Sequence, residues 1–176
     1  MQFHETAISG AYVVELDRLE DDRGFFARAF CADEFAATGI NPNVVQANLS
    51  FNVSKGTLRG MHYQVSPGLE TKFVRCIRGC IYDVIVDLRP DSDTYLKHFG
   101  VELSSDTRSA LYIPQKVAHG FQTLSDESEV MYLVSGKYNP ACERGVRYDD
   151  PKFDIQWPVA VTTVSEKDAN WSLFVS

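Results

Sequence analysis

Short apolar-rich segments recur along the whole chain and are separated by turn residues. Valine, isoleucine, tyrosine and phenylalanine dominate these segments, and such residues favour β-strands. Glycine, proline, serine and aspartate occupy the breaks, for example at residues 54–56, 66–68 and 89–91. The pattern predicts strands at residues 11–16, 44–53, 58–64, 73–78, 81–88, 99–103, 110–113, 120–124 and 130–135.

Helical patterning is sparse. Residues 33–37 are predicted to form one short helix that ends at Gly39, because glycine commonly terminates helices. Ser165 begins an N-capping pattern with Asp168 as its third residue, which predicts a last helical turn. Since no repeat or linker interrupts the chain, we expect one all-β domain over residues 1–176 with a few short helices. A jelly roll is the expected architecture, because two closed sheets hide most strand edges.

Composition limits the partners. The chain is 44% hydrophobic and 23% charged, as is usual for globular proteins, and its net charge of −7 argues against a nucleic-acid partner. No apolar run approaches a membrane span and no signal peptide is visible, so we expect a cytoplasmic protein without membrane contact. The cysteines are then expected to be reduced, small buried side chains rather than zinc ligands or a redox pair: Cys31, Cys76, Cys80 and Cys142.

The segment at residues 56–64 carries the most chemistry. It places His62 within a predicted strand, on the same face as Gly60, which leaves a gap. An imidazole takes up a proton near neutral pH, and nearby cations such as Arg59 and Lys72 stabilise the negative charge that results. This combination suits proton abstraction beside a carbonyl in a substrate that carries phosphate. A structural role for a lone strand histidine is the alternative.

Three further candidates each have a plain alternative. His119 precedes a glycine and could join His62 in a metal site, but the chain contains no His-x-His pair and zinc or iron needs about three protein ligands. We therefore expect no metal. Tyr132 lies in an apolar segment and could be ordinary core. Asp168 could serve only the helix cap.

A polar face is predicted beside these groups. Gln46 and Asn48 alternate along one predicted strand and should share a face. Arg23 lies in a predicted turn, and the planar fork of Arg59 matches the oxygens of a phosphate. A solvated surface is the default for each residue alone. Together they indicate a local cationic site, which an anionic substrate would need on a chain of net negative charge.

The chain resembles the dTDP-4-dehydrorhamnose 3,5-epimerase family in many stretches that keep the family's order and spacing. The matching stretches, with x for a position that does not count toward the match, are DRGFF at residues 22–26, QANLS at 46–50, GxLRGMHYQ at 56–64, KxVR at 72–75, DVxVDLR at 83–89, AHGF at 118–121, Tyr132, DDP at 149–151, IxWP at 155–158 and SxKD at 165–168. Coverage of this extent is far more specific than any one motif. The resemblance implies a cupin-like jelly roll.

The resemblance also implies a reaction on a nucleotide-linked 4-keto-6-deoxy-hexose. The C4 ketone acidifies the protons at C3 and C5, and the family returns each to the opposite face without a cofactor. By this resemblance His62 is the general base, Asp168 its partner, Lys72 the cation over the enolate oxygen and Tyr132 the proton donor. The residues that would hold the nucleotide diphosphate or the sugar are Arg23, Phe26, Gln46, Asn48, Arg59, His119, Glu143 and Lys167.

Some implications are less determined. The family is dimeric with exchanged N-terminal strands, so Arg23 would serve the partner's site. Arg28 stands where many members carry a glutamate used in nucleotide recognition, so the base is not predicted, although thymine fits the family best. Inversion at C3 alone is the nearest alternative activity, and a metal-dependent cupin enzyme is the alternative from another class.

Overall fold

The computed structural model describes residues 1–41 and 43–175 of the chain. Within them the helices are α1 (Ala32–Ala37) and α2 (Glu166–Ala169). The strands are β1 (Gln2–Glu5), β2 (Tyr12–Glu15), β3 (Arg18–Asp21), β4 (Gly24–Ala27), β5 (Gln46–Asn52), β6 (Thr57–Gln64), β7 (Lys72–Arg78), β8 (Cys80–Asp87), β9 (His98–Ser104), β10 (Ala110–Ile113), β11 (Val117–Thr123), β12 (Ser128–Val134), β13 (Glu143–Gly145) and β14 (Thr163–Val164).

Two large sheets and one hairpin make up the β-structure. The first sheet has the strand order β1-β2-β10-β7-β12-β5, and the second has the order β13-β6-β11-β8-β9, with β14 alongside β6. The β3–β4 hairpin forms a small sheet of its own. Neighbouring strands pair antiparallel except for β14 on β6. The two sheets form the predicted all-β, cupin-like jelly roll.

Alternation along the strands builds the core between the sheets. On β12, Val130 and Val134 are buried, and the cluster around Val130 includes Val74, Ile85 and Phe121 from three other strands. Full burial of such a side chain stabilises the fold by about 1.5–3 kcal/mol each. This apolar layer supports the polar groups that lie along the same strands.

Every strand predicted from the apolar pattern corresponds to an observed one, namely β2 and β5 to β12. The predicted bounds differ most at β11, which begins at Val117 rather than at residue 120. The pattern missed β1, β3, β4, β13 and β14 because they are two to four residues long and mostly exposed, so they carry little alternation. Both predicted helical segments are present as α1 and α2.

The gap predicted at Gly60 is present, and the backbone of a neighbouring strand approaches it. A Cβ at Gly60 would lie 2.4 Å from the Cα of Gly120, so the two glycines let β6 and β11 approach closely. The space left by the missing side chain is therefore taken up by β11. The close approach brings His62 and His119 into direct register across the two strands.

The cysteines and the helices bear on the expected reduced thiols and on the expected lack of a membrane span. Cys31, Cys76, Cys80 and Cys142 all carry free thiols. Cys76 and Cys142 are buried as expected, whereas Cys31 and Cys80 are only partly buried, so the expectation was wrong for these two. Neither α1 nor α2 has the length and apolarity needed to cross a membrane, and the described part of the chain has no other helix that does.

Candidate active site

A cavity of about 500 Å³ opens between the two sheets. Side chains from both sheets and from the C-terminal turn line it. Of the residues predicted for the site, the following line this cavity: Gln46, Asn48, Arg59, His62, Lys72, His119, Tyr132, Glu143 and Asp168. The fold therefore gathers side chains that are up to 122 positions apart in sequence (168 − 46).

His62 and Asp168 form a direct pair at one wall. The imidazole Nε2 lies 2.6 Å from Oδ1 of Asp168. Because a carboxylate only accepts hydrogen bonds, Nε2 is the donor of this pair, and Nδ1 is the ring nitrogen left to act as a base. The His62 side chain remains 31% exposed, whereas that of Asp168 is 6% exposed. The pair thus consists of a partly exposed imidazole that can act as a base and a buried carboxylate that orients it.

The capping sequence explains how Asp168 reaches His62. The Ser165 hydroxyl accepts from the backbone N–H of Asp168 at 3.1 Å, which confirms the predicted cap at α2. The carboxylate of Asp168 also points away from the turn into the site, because Oδ2 accepts from the backbone N–H of Gly60 at 3.2 Å. The capped turn therefore fixes the backbone of Asp168, and its carboxylate projects into the site.

Tyr132 and Lys72 belong to the first sheet, whereas His62 belongs to the second. Tyr132 pairs with Asn48 across β12 and β5, and Val134 pairs with both Gln46 and Lys72. Gln46 and Asn48 share a face as predicted, since the Gln46 amide donates to Asn48 Oδ1 at 2.8 Å. Because all of these line one cavity with His62, the phenol and the imidazole stand on opposite walls.

Lys72 is a mostly buried cation with one polar partner on each sheet side of the cavity. Its Nζ donates to the backbone oxygen of His62 at 3.1 Å and lies 3.6 Å from Oε1 of Glu70. Burial lowers the pKa of Lys72, while the charge of Glu70 opposes that shift. Gln64 in turn donates to Glu70 at 2.8 Å. The ammonium is therefore held beside the strand that carries the base.

A second histidine–carboxylate pair lies deeper. His119 Nε2 is 3.0 Å from Oδ2 of Asp83, and both side chains are almost fully buried. The His119 ring also packs edge-on against Tyr132, with centroids 6.1 Å apart. Burial, and secondarily the charge of Asp83, raises the pKa of the Tyr132 phenol well above its ordinary range. Tyr132 therefore remains a protonated donor near neutral pH.

The rim of the cavity combines charged and amide groups. Arg59 donates from Nε to Oδ1 of Asn52 at 2.7 Å. Glu143 accepts from the Tyr138 hydroxyl at 2.7 Å, and Lys167 Nζ lies 2.6 Å from its other oxygen. Lys167 itself stands just outside the cavity lining and reaches it through Glu143.

Two predicted site residues lie away from this cavity. Arg23 sits at the tip of the β3–β4 hairpin, 90% exposed, and pairs with its neighbour Asp21 at 2.6 Å. Phe26 on β4 is 73% exposed and lies beside a smaller surface pocket. Arg28, the departure from the family pattern, pairs with Glu34 at 2.8 Å beside the same pocket. The assignment of Arg23 and Phe26 to substrate binding remains a prediction.

The sequence did not single out Glu70, Asp83 or Tyr138, although each contacts a predicted site residue. Two of them could have been found from the sequence, because Glu70 lies two residues before Lys72 and Asp83 lies within a stretch that matches the family. Among residues 1–41 and 43–175, no group of three or more His, Cys, Asp or Glu side chains is arranged to hold a metal ion.

The fold and the site are those of a cupin-like protein with acid–base groups gathered in one cavity, and comparison with known proteins gives its class. The family model for dTDP-4-dehydrorhamnose 3,5-epimerase matches residues 5–176. The dTDP-4-dehydrorhamnose 3,5-epimerase of Methanothermobacter thermautotrophicus is 42% identical over 173 residues, 97% of this chain and 92% of that protein. The chain therefore belongs to the dTDP-4-dehydrorhamnose 3,5-epimerase family and is an isomerase that acts on carbohydrates.

Solved structures extend the comparison. The dTDP-4-dehydrorhamnose 3,5-epimerase of Elizabethkingia anophelis NUHP1 is 36% identical with a TM-score of 0.96, covering 99% of this chain and 96% of that one. The Bacillus anthracis str. Ames enzyme, with TDP and PPi bound, is 38% identical with a TM-score of 0.95, covering 98% and 99%. A Streptomyces niveus relative, 38% identical over 96% of this chain and 81% of that protein, is named a 3-epimerase.

Proposed function

We propose that this protein inverts C3 and C5 of dTDP-4-keto-6-deoxy-D-glucose and yields dTDP-4-keto-L-rhamnose, without a cofactor, in deoxysugar biosynthesis. The observation that carries the proposal is the placement of the His62–Asp168 pair and the Tyr132 phenol on opposite walls of one cavity. Inversion needs a base on one face of a carbon and an acid on the other. A base acting alone would return the proton to the face that it left.

The proposed proton transfers balance with these groups, Lys72 and solvent. His62 takes the proton beside the C4 ketone, and the electron pair of the broken C–H bond moves into an enolate whose charge rests on the C4 oxygen. Lys72 stabilises that oxygen, and Tyr132 then protonates the carbon from the other face as the ketone reforms. A positioned acid or base contributes about 10²–10⁴-fold, and a preorganised charge at the oxyanion about 10²–10³-fold. Solvent restores both groups before the next step.

The remaining cavity side chains suit recognition of a sugar nucleotide. Cations bind phosphate oxygens, and amide or carboxylate groups bind sugar hydroxyls. We assign the diphosphate and the sugar to Gln46, Asn48, Arg59, His119, Glu143 and Lys167. The TDP and PPi bound to the B. anthracis relative support a nucleotide diphosphate as the ligand class.

Incubation with dTDP-4-keto-6-deoxy-D-glucose in heavy water tests the proposal. Each inverted carbon gains one deuterium from solvent, so mass spectrometry and NMR should find label at both C3 and C5. Product without label at either carbon would contradict the proposed proton transfers.

Inversion at C3 alone is the second candidate. The Streptomyces niveus relative named a 3-epimerase favours it, because its 38% identity is close to the 42% of the M. thermautotrophicus 3,5-epimerase. The same incubation separates the two. Label confined to C3 supports the second candidate, and label at both carbons rejects it.

A metal-dependent cupin enzyme is the alternative from another class. Elemental analysis of purified protein, followed by activity before and after chelation, distinguishes the two mechanisms. We expect activity that does not follow metal content. A stoichiometric metal whose removal abolishes turnover and whose return restores it would overturn the proposal.

We further propose a homodimer in which the β3–β4 hairpin of one protomer serves the cavity of its partner. The hairpin exposes Arg23 and Phe26 and does not reach the cavity of its own chain. The edge strand β5 also exposes an apolar stripe on its outer side, including Leu49 at 64% and Phe51 at 48%. An apolar strand edge favours pairing with another chain, and a second copy is the occupant that would also bring in the missing Arg23.

Mixing two inactive variants tests the shared site. In a hybrid of His62→Ala and Arg23→Ala protomers, one of the two sites retains both native residues, so random re-assortment should restore about a quarter of wild-type activity. Arg23→Ala mixed with itself is the control. A monomer in light scattering, or no recovery after verified exchange of protomers, would contradict the proposal.

We also infer a cytoplasmic location, which the free thiols support, since they persist in a reducing compartment. Fractionation of cells that make the protein should place it with cytosolic markers.

A further inference from the structure

Besides the contact of Asp168 with His62, the C-terminal segment makes a second contact with the strands of the site. The proposed proton transfers do not involve this second contact. Trp171 lies three residues after Asp168, and its ring covers the backbone of Gly145 in β13. A Cβ at Gly145 would lie 2.2 Å from Cε2 of the indole and 2.5 Å from both Cδ2 and Nε1. The ring thus occupies the space that any other residue at position 145 would fill.

That space lies directly beside the base. Gly145 is the partner of His62 in the pairing of β13 with β6. Paired residues of an antiparallel sheet project toward the same face. The indole therefore occupies the position beside His62 that a side chain at residue 145 would take. The two rings meet edge-on, with centroids 6.3 Å apart and planes inclined by 67°.

Packing rather than hydrogen bonding holds the indole. Its Nε1 is buried and has no hydrogen-bond partner within the residues that the structure describes. The Lys167 ammonium lies 5.6 Å from the ring centroid, and further on the backbone N–H of Phe174 donates to Asp150 at 2.5 Å. A helix of four residues has little stability of its own, so such tertiary contacts determine where α2 places Asp168.

We propose that Trp171 is a positioning residue that, seated in the gap at Gly145, holds α2 so that the Asp168 carboxylate meets Nε2 of His62. The proposal rests on the proposed role of His62 as the base. It explains why position 145 is glycine without invoking backbone strain, because Gly145 does not have a left-handed φ. An alanine at position 145 would be unfavourable only because Trp171 fills the space that its methyl group would need.

Gly145→Ala is the direct test. Non-bonded carbons settle about 3.5–4.0 Å apart, so the added methyl displaces the indole by about 1 Å or more. Misplacement of that size costs up to about 10²-fold in rate, and we expect kcat to fall by about 10- to 100-fold. Neither Gly145 nor Trp171 lines the cavity, so KM should change by no more than about two-fold, as expected for a residue that does not touch the substrate.

A spectroscopic readout separates positioning from general damage. A proton shared between imidazole and carboxylate gives a low-field ¹H resonance, which should be present in wild type and weakened or shifted in Gly145→Ala and in Trp171→Ala. The matched control is Gly100→Ala, whose Cβ would meet the Tyr82 hydroxyl oxygen at 2.1 Å, outside the cavity lining. It should lose stability yet keep the resonance and kcat.

A double variant completes the test. If the methyl acts through the indole, Gly145→Ala should add less than about two-fold to the loss already caused by Trp171→Ala. An unchanged resonance in Trp171→Ala, or the same loss in Gly100→Ala, or a full additional loss in the double variant, would each overturn the proposal. Absence of epimerase activity in wild type would instead overturn the proposed function, because the resonance reports on the pair without turnover.

Discussion

Replacing Asp168 with asparagine removes one charge from the site while keeping the shape of the side chain. The carboxylate accepts from His62 Nε2 at 2.6 Å and from the Gly60 N–H at 3.2 Å, and the Asp168 backbone N–H, which the substitution keeps, donates to the helix cap at Ser165. A hydrogen bond to a charged group contributes about 1.5–3 kcal/mol. If that much is lost when His62 becomes an imidazolium, kcat should fall about 10- to 150-fold.

The same substitution should change how stability depends on acid. Burial alone would raise the pKa of Asp168, but hydrogen bonding and attraction from His62, with the Gly60 N–H, lower it below 3.8. A carboxyl group with a lowered folded-state pKa contributes stability above its unfolded pKa and loses that contribution as the pH falls through the folded value. The difference in unfolding free energy between wild type and Asp168→Asn should therefore narrow below about pH 4.

Steady-state kinetics at saturating substrate and urea unfolding at several pH values would measure both effects. Asp149→Asn is the matched control, because it removes a carboxylate that pairs with Arg147 outside the cavity. It should leave kcat unchanged. A folded Asp168→Asn protein with kcat within about two-fold of wild type, against the expected 1.5–3 kcal/mol, would refute the reasoning, as would an equal loss in the control.

Three further substitutions test separate parts of the structure. His62→Ala should abolish turnover in a protein that still folds, with a lower melting temperature because the buried Asp168 carboxylate loses its partner; retained activity would contradict the base assignment. Tyr132→Phe should reduce net inversion by about 10²–10⁴-fold while solvent exchange persists, so equal loss of both would contradict the donor role. Asp87→Asn should destabilise the fold by about 3 kcal/mol in urea unfolding, since this buried carboxylate accepts from Arg89, Ser92 and Thr94. A loss below about 1 kcal/mol would show that the network matters little.

The strands that form the two sheets were predictable because alternation reflects burial on one face. β12 shows this well, with Val130 and Val134 in the core and Tyr132 between them in the cavity wall. The β3–β4 hairpin escaped prediction because all but one of its residues are exposed, so no apolar period marks it. A turn at residues 21–24 was visible, but the strands beside it were not.

Asp168 shows where local sequence stops being sufficient. The capping pattern correctly predicted the turn, and its simplest interpretation assigned the aspartate to that turn. The backbone does serve the cap, whereas the carboxylate reaches a histidine 106 residues away. Local spacing determines only the cap, because the contact between the carboxylate and His62 depends on how α2 docks against β6.

The sequence by itself determined the residue types and the strand alternation, and with them a jelly roll whose polar positions point inward along several strands. Its resemblance to a known family also assigned the acid, the base and the cation. Only the tertiary structure decided that His62 and Tyr132 come from different sheets and face one cavity, that Glu70 accompanies Lys72, and that Arg23 lies outside. The physical reason is that spacing along a strand sets which face a side chain takes, whereas sheet pairing and loop closure set which faces meet.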